Sequence, residues 1–328
     1  MSTARHILAL LRSHVEGEDQ QFYSAALQMA AHEARKGHGK LAQEIKELID
    51  KAKSNKSVIE RKTNLTPLAQ PKGELANLVS VTYPDTRLSD MTLTPNLESR
   101  LKRVLSEQRQ SERLREYNLK PRRKLLLVGP PGSGKTMTAK ALAGELKLPL
   151  FTTLYDNLLG RYMGETASRL KLIFEAMTIT KGVYFFDEFD AIGTHRDSSN
   201  DVGEIRRILN SFLMFLENDQ GDSLIIAATN HPKLLDKALF RRFDDVIKYQ
   251  FPDADIIREL IESRLITFDI AWRDWSKIIE QANELAQAEI IQATDEAAKN
   301  AVLSNTQRIS EESLILAIIE RKDLNFSE

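Results

Sequence analysis

Residues 129–136 read GPPGSGKT, three glycines and two prolines closing on a lysine and a threonine. The stretch fits the pattern G-x-x-x-x-G-K-[ST], and its flanks decide what it means. An apolar run, KLLLV, precedes it, and a helix-forming run, TMTAKALAGEL, follows. Strand, glycine turn and helix in that order form a phosphate cradle. Glycines let backbone N–H groups turn inward on phosphate oxygens, and the helix N-terminus adds its dipole. The expected nucleotide-binding set is therefore Gly129, Pro130, Pro131, Gly132, Ser133, Gly134, Lys135, Thr136 and Met137. Lys135 would reach the β- and γ-phosphates, and the Thr136 hydroxyl would hold Mg2+.

Working outward, buried strands alternate with helices from this loop to about Pro252. The strands read KLLLVG, LPLFTT, GVYFFD, SLIIAATN and DDVIKYQF. Continuous apolar strands separated by helices predict an α/β fold, a parallel sheet covered on both faces. VYFFDEFD is apolar throughout its strand, so it is central, and Asp187 and Glu188 stand at its carboxyl end. A carboxylate there lies beside the phosphate loop, where Asp187 would orient Mg2+ and Glu188 would polarise the attacking water as a general base. Asn230 ends the strand SLIIAATN. Its amide both donates and accepts, which suits it to hold the same water or touch the γ-phosphate. In LDKALFRRFDD, Arg241 and Arg242 have two readings. They pair with Asp244 and Asp245 on a solvated face, or they neutralise transition-state charge on a γ-phosphate.

The remaining chain frames this region. Residues 1–54 read as a small helical module, punctuated by Gly17, Gly37 and Gly39. Residues 55–87, interrupted by Pro67, Pro71, Gly73 and Pro84, read as a linker with a short strand at LVSVTY. A charged helix, NLESRLKRVLSEQRQSERLREY, leads into the large α/β region, 88–253, and residues 254–328 read as all helix. Composition excludes several classes. The 328 residues include no cysteine, so disulfides, Cys-ligated zinc and thiol catalysis are ruled out. A net charge of −1 argues against a chain built to coat nucleic acid. No apolar run is long enough to span a bilayer, and a cytoplasmic location is the expectation.

Taken together, GPPGSGKT, FFDEFD, AATN and ALFRRFDD resemble the AAA ATPases, in the family's order and at about its spacing. The likeness runs from roughly Leu88 to the C-terminus, and its form is similar to the compact, single-ring bacterial type. It implies an α/β wedge, a helical lid over the nucleotide, and a homo-oligomeric ring, usually a hexamer. Arg241 and Arg242 would then act in trans on a neighbour's ATP. The family commonly separates its arginines, as R-P-G-R-F-D, whereas here they are adjacent, and the lid carries Glu284 and Ala286 where relatives have Gly-x-Ser/Thr.

The resemblance also gives meaning to GRYMGE, residues 160–165. It is similar to the family's first pore loop, in which Tyr162, Met163 and Gly164 would grip an extended polypeptide through apolar contact. THRDSSNDVGEIRRIL resembles the second pore loop and the helix behind it, with Arg206 and Arg207 in the place of interface arginines. The implied activity is ATP-driven remodelling or unfolding of protein substrates. H-E-x-x-H and G-x-S-x-G are absent from the sequence, so proteolysis would come from a separate chain; a subtilisin-like serine protease is the candidate partner. Two rivals stand beside this reading: a DNA-directed ATPase using the basic segment SEQRQSERLREYNLKPRRK, and a nucleotide-gated scaffold.

Overall fold

The alternation of apolar and amphipathic runs from Lys124 onward is folded into a layered sheet. The computed structural model describes residues 73–158, 165–189, 201–232 and 237–325, with Ala26, Gln43 and Pro71; for 201–207, 237–238 and 325 it describes the backbone alone. The main sheet comprises β1 (Val79–Thr82), β2 (Lys124–Val128), β3 (Leu150–Thr153), β4 (Val183–Phe186), β5 (Leu224–Thr229) and β6 (Asp245–Lys248). Across the sheet they run β1-β3-β4-β5-β2-β6. β1 is antiparallel to β3, and every other pair is parallel. The helices of this layer are α1 (Leu75–Leu78), α2 (Pro95–Arg109), α3 (Ser111–Glu116), α4 (Lys135–Leu146), α5 (Tyr155–Leu158), α6 (Glu165–Ile179), α7 (Asp201–Asn218) and α8 (Lys237–Phe240).

Successive strand residues point to opposite faces, so each apolar strand feeds two cores. Leu126, Val128, Tyr184, Phe186, Ile225 and Ala227 pack with Phe174 of α6 and with Phe212 and Leu216 of α7. Leu125, Leu127, Val183, Phe185, Ile226 and Ala228 pack with Leu101 and Leu105 of α2 and with Ala139 and Leu142 of α4. Both sides of β4 are buried along its whole length, as its unbroken apolar reading requires.

Beyond Pro252 the chain forms α9 (Ala254–Arg264), α10 (Ser276–Ala282), α11 (Gln287–Leu303) and α12 (Glu311–Asn325) around a separate core that includes Ile261, Ile290 and Leu314. The expectation of helices alone is corrected here. β7 (Asp269–Ile270) and β8 (Arg308–Ile309) pair in parallel. Two residues are too few to show a strand period in sequence. The run from Asp274 to Leu303 also breaks between α10 and α11, where Glu284 adopts φ +71°. Likewise the helix expected over 96–117 divides at Gln110 into α2 and α3.

The expected strand in LVSVTY is present as β1, and it is an edge strand of the main sheet rather than part of a free linker. Its flanking Gly73 and Pro84 are turn chemistry at a sheet edge. The chain divides into two compact units, Met1–Leu68 and Ala69–Glu328. In the first, Ala26 and Gln43 are described, each in helical backbone. The rest of the expected helical module lies outside the described residues.

Candidate functional site

Strand order brings the sequence motifs together. β2 delivers the glycine loop, β5 lies beside it, and β4 lies beyond β5, all parallel, so their carboxyl ends open on one edge. That edge is where ligands bind in sheets of this kind. Gly129 begins the loop with no room for a side chain, because a Cβ there would fall 2.6 Å from the Tyr249 Cβ. Gly132 and Gly134 take φ +71° and +94°, which only glycine adopts without cost. α4 starts at Lys135, pointing its N-terminal N–H groups into the loop. Lys135 is buried, and its Nζ donates to the carbonyls of Gly129 at 2.9 Å and Pro130 at 2.7 Å. Ser133 is buried as well, whereas Thr136 and Met137 are exposed.

The Thr136 hydroxyl donates to Asp187 Oδ2 at 2.7 Å. The other carboxylate oxygen, Oδ1, accepts the Glu188 N–H at 3.0 Å. Glu188 itself sits at φ +48° with an exposed side chain, turned out of the strand direction. Asn230 follows the last residue of β5, half-buried between the two other strand ends. A hydroxyl and a carboxylate in contact make a hard oxygen pair. It fits Mg2+, which takes few protein ligands and keeps waters and phosphate oxygens for the rest.

The helical C-terminal region meets the loop directly. Ala288 N–H donates to Gly132 O at 3.1 Å, and the Gln287 side-chain amide donates to Thr92 O at 3.2 Å. A Cβ on Gly132 would lie 3.1 Å from the Ala286 Cβ and 3.2 Å from that of Ala288. Glu284 occupies the place where relatives were expected to carry glycine, and it takes the left-handed conformation glycine favours. Gln287 and Ala288 escaped the sequence reading; the small residues at the start of α11 were the signal for close approach.

Arg241 and Arg242 follow α8 in the turn before β6. Neither pairs with the neighbouring aspartates. Asp244 accepts the backbone N–H groups of Arg123 and Lys124 at 2.8 and 2.9 Å, and Asp245 pairs with Arg100. Arg242 pairs with Glu217 near the end of α7, while Arg241 is exposed and has no ion pair among the described residues. Tyr162, Met163 and Gly164 lie outside the described residues, as do the side chains of Arg206 and Arg207. In the basic segment 106–124 four of the five arginines are ion-paired: Arg109 with Glu145, Arg115 with Asp222, Arg122 with Glu107 and Arg123 with Asp219. Among the described residues no helix is long and apolar enough to cross a membrane.

Residues 125–251 match the family model described as "ATPase family associated with various cellular activities (AAA)". The uncharacterized AAA family ATPase y4kL of Sinorhizobium fredii is 32% identical over 295 residues, which cover 90% of this chain and 88% of that protein. The ATP-dependent zinc metalloprotease FtsH of a Sulfurovum species is 31% identical over 271 residues, 78% of this chain and 40% of that one. A protein of Methanothermobacter thermautotrophicus described as a homolog of a 26S proteasome regulatory subunit is 32% identical over 206 residues, 61% of this chain and 55% of its own. The chain thus spans nearly all of y4kL but only about half or less of the other two. With that likeness along nearly a whole relative, and with the glycine loop and the Asp187–Glu188 pair at one sheet edge, the chain belongs to the AAA family of ATPases and hydrolyses ATP.

Proposed function

We propose that this ATPase works as a homo-oligomeric ring, a hexamer, that remodels or unfolds polypeptide substrates by pulling on them with pore loops. The observation that carries this is the shared ATPase portion: the chain is about 30% identical to an ATP-dependent protease and to a proteasome regulatory homolog, proteins named for work on other proteins. In this reading Lys135 and the loop amides hold the phosphates, and Thr136 with Asp187 hold Mg2+. Bound there, Mg2+ would neutralise charge on the phosphate oxygens. Glu188, exposed beside Asp187, takes the proton of the attacking water, and Asn230 orients that water. Arg241 or Arg242 of an adjacent subunit reaches the γ-phosphate. Tyr162 and Met163 contact the substrate chain.

A protease partner, with a subtilisin-like serine protease as candidate, would act downstream of unfolding. Ion pairing of Arg109, Arg115, Arg122 and Arg123 reduces the open charge this segment offers to phosphates, which counts against a DNA-directed ATPase. The test is the Glu188→Gln variant, which should bind ATP and hydrolyse it very slowly. Recovered from its host with ATP and Mg2+, it should hold polypeptides that are lost when Tyr162→Ala is added. Recovery of nucleic acid, or of rings carrying nothing, would overturn the reading in favour of a DNA-directed ATPase or a scaffold.

A further inference from the structure

We propose that Tyr249 is a positioning residue for the nucleotide, bracing the phosphate loop at both ends through its backbone and through a hydrogen bond to Thr138. Neither residue belongs to the motifs that identify the site, and Tyr249 stands outside the loop, just past β6.

At the start of the loop, Tyr249 N–H donates to Val128 O at 2.7 Å, so its backbone runs alongside Gly129. The contact is close enough that a Cβ on Gly129 would fall 2.6 Å from the Tyr249 Cβ and 2.7 Å from its carbonyl oxygen. Gly129 is thus held between Tyr249 on one side and Thr229 on the other, whose carbonyl accepts the Gly129 N–H at 3.3 Å. The Gly129 carbonyl in turn receives Lys135 Nζ.

At the far end, the Tyr249 hydroxyl lies 2.6 Å from Thr138 Oγ1, and Thr138 Oγ1 lies 3.0 Å from Gly134 O. A carbonyl can only accept, so the Thr138 proton goes to Gly134 and the phenol donates to Thr138. The chain of donors runs Tyr249 to Thr138 to Gly134. Burial raises the Tyr249 pKa well above its ordinary value, which keeps the phenol protonated and donating. A threonine bonding back to the fourth residue before it is ordinary in helices. A buried phenol that fixes that threonine from beyond the end of β6 is not needed for the helix. Gly134 is the glycine at φ +94° that turns the loop into α4, so fixing its carbonyl fixes where the loop amides point.

Tyr249 also stands four residues before Asp253, whose side chain caps α9 by accepting Ile256 N–H at 3.0 Å. The same residue that braces the loop therefore opens the passage into the helical C-terminal region. A phosphate cradle loses affinity when its amides wander, because their directions are what bind the anion.

The test is binding of a fluorescent ADP analogue by the full-length chain, beside thermal unfolding of the nucleotide-free chain. Tyr249→Phe and Thr138→Val each remove one end of the phenol bond while keeping shape. Each should weaken ADP binding about fivefold to tenfold, and the double variant should be no weaker than the worse single one. Thr138→Ser should bind ADP as the native chain does. In steady state, Tyr249→Phe should raise KM for ATP more than it lowers kcat. ADP affinity within twofold of native in Tyr249→Phe would overturn the proposal. So would a loss in Thr138→Ser equal to that in Thr138→Val, since packing alone would then explain the effect.

Discussion

The Thr136 hydroxyl meets the Asp187 carboxylate at 2.7 Å, across 51 residues of sequence and one intervening strand. The contact joins the first turn of α4 to the end of β4, and it places two hard oxygens where a nucleotide's phosphates would lie. Asp187→Asn keeps the shape and removes the charge. It should lower ATP turnover by roughly 10²-fold, the scale of losing one preorganised electrostatic contact. Thr136→Ser should retain most activity, and excess EDTA should abolish native turnover. Phosphate release measured across a Mg2+ titration checks all three; an Asp187→Asn chain with native turnover and native Mg2+ dependence would refute the assignment.

Gly144 lies within α4, facing the segment that leads from β1 toward α2. A Cβ there would collide with the carbonyl oxygen of Thr86 and come within 2.8 Å of that of Pro84. Both are backbone atoms, which yield only if the chain shifts. Gly144→Ala normally gains helix propensity, yet here it should destabilise the protein by about 1–3 kcal/mol through overpacking. Chemical denaturation gives the sign directly.

Much of this was readable from the chain because the relevant signals are local. The glycine loop carries its own flanking strand and helix, and VYFFDE announces a buried strand ending in carboxylates. Proximity of Asp187 to Thr136 followed from parallel topology alone. What stayed hidden depends on distant pairs. Tyr249 and Thr138 are 111 residues apart, and nothing in the surrounding stretch IKYQF marks a phenol that will bond a helix. β7 and β8 are too short for a period to show, and the break before α11 needs a glutamate in a glycine conformation. β1 looked like linker because an edge strand is short and bounded by turn residues.

Lys147 closes α4 at φ +55°, ψ +41°, with its N–H donating to Gly144 O and the Leu148 N–H to Ala143 O. This is the left-handed helix terminus at which glycine is preferred, and the lysine side chain is exposed. Lys147→Gly should therefore stabilise the fold by about 1 kcal/mol, relieving the Cβ strain without losing a buried contact. A higher denaturation midpoint at unchanged slope is the expected reading; a lower midpoint would show that Lys147 contributes more than its backbone conformation.

Arg241 and Arg242 are adjacent in sequence and differently engaged. Arg242 is held by Glu217, an exposed pair that contributes about 0–1 kcal/mol, while Arg241 has no ion pair among the described residues. An arginine offered to a neighbour's γ-phosphate has to be available, and Arg241 is the available one. Arg241→Ala should keep ATP binding and lose turnover by about 10³-fold, the lower range for a supplied arginine. Arg242→Ala should lose far less. Subunit mixing then tests the direction of supply. Chains with Arg241→Ala keep an intact site and lack the arginine, whereas chains with Glu188→Gln keep the arginine and lack the base. Each alone should be nearly inactive. Mixed rings should regain activity at interfaces that combine an intact site with an intact arginine, and no recovery in rings shown to contain both chains would mean that Arg241 serves its own subunit's site or none.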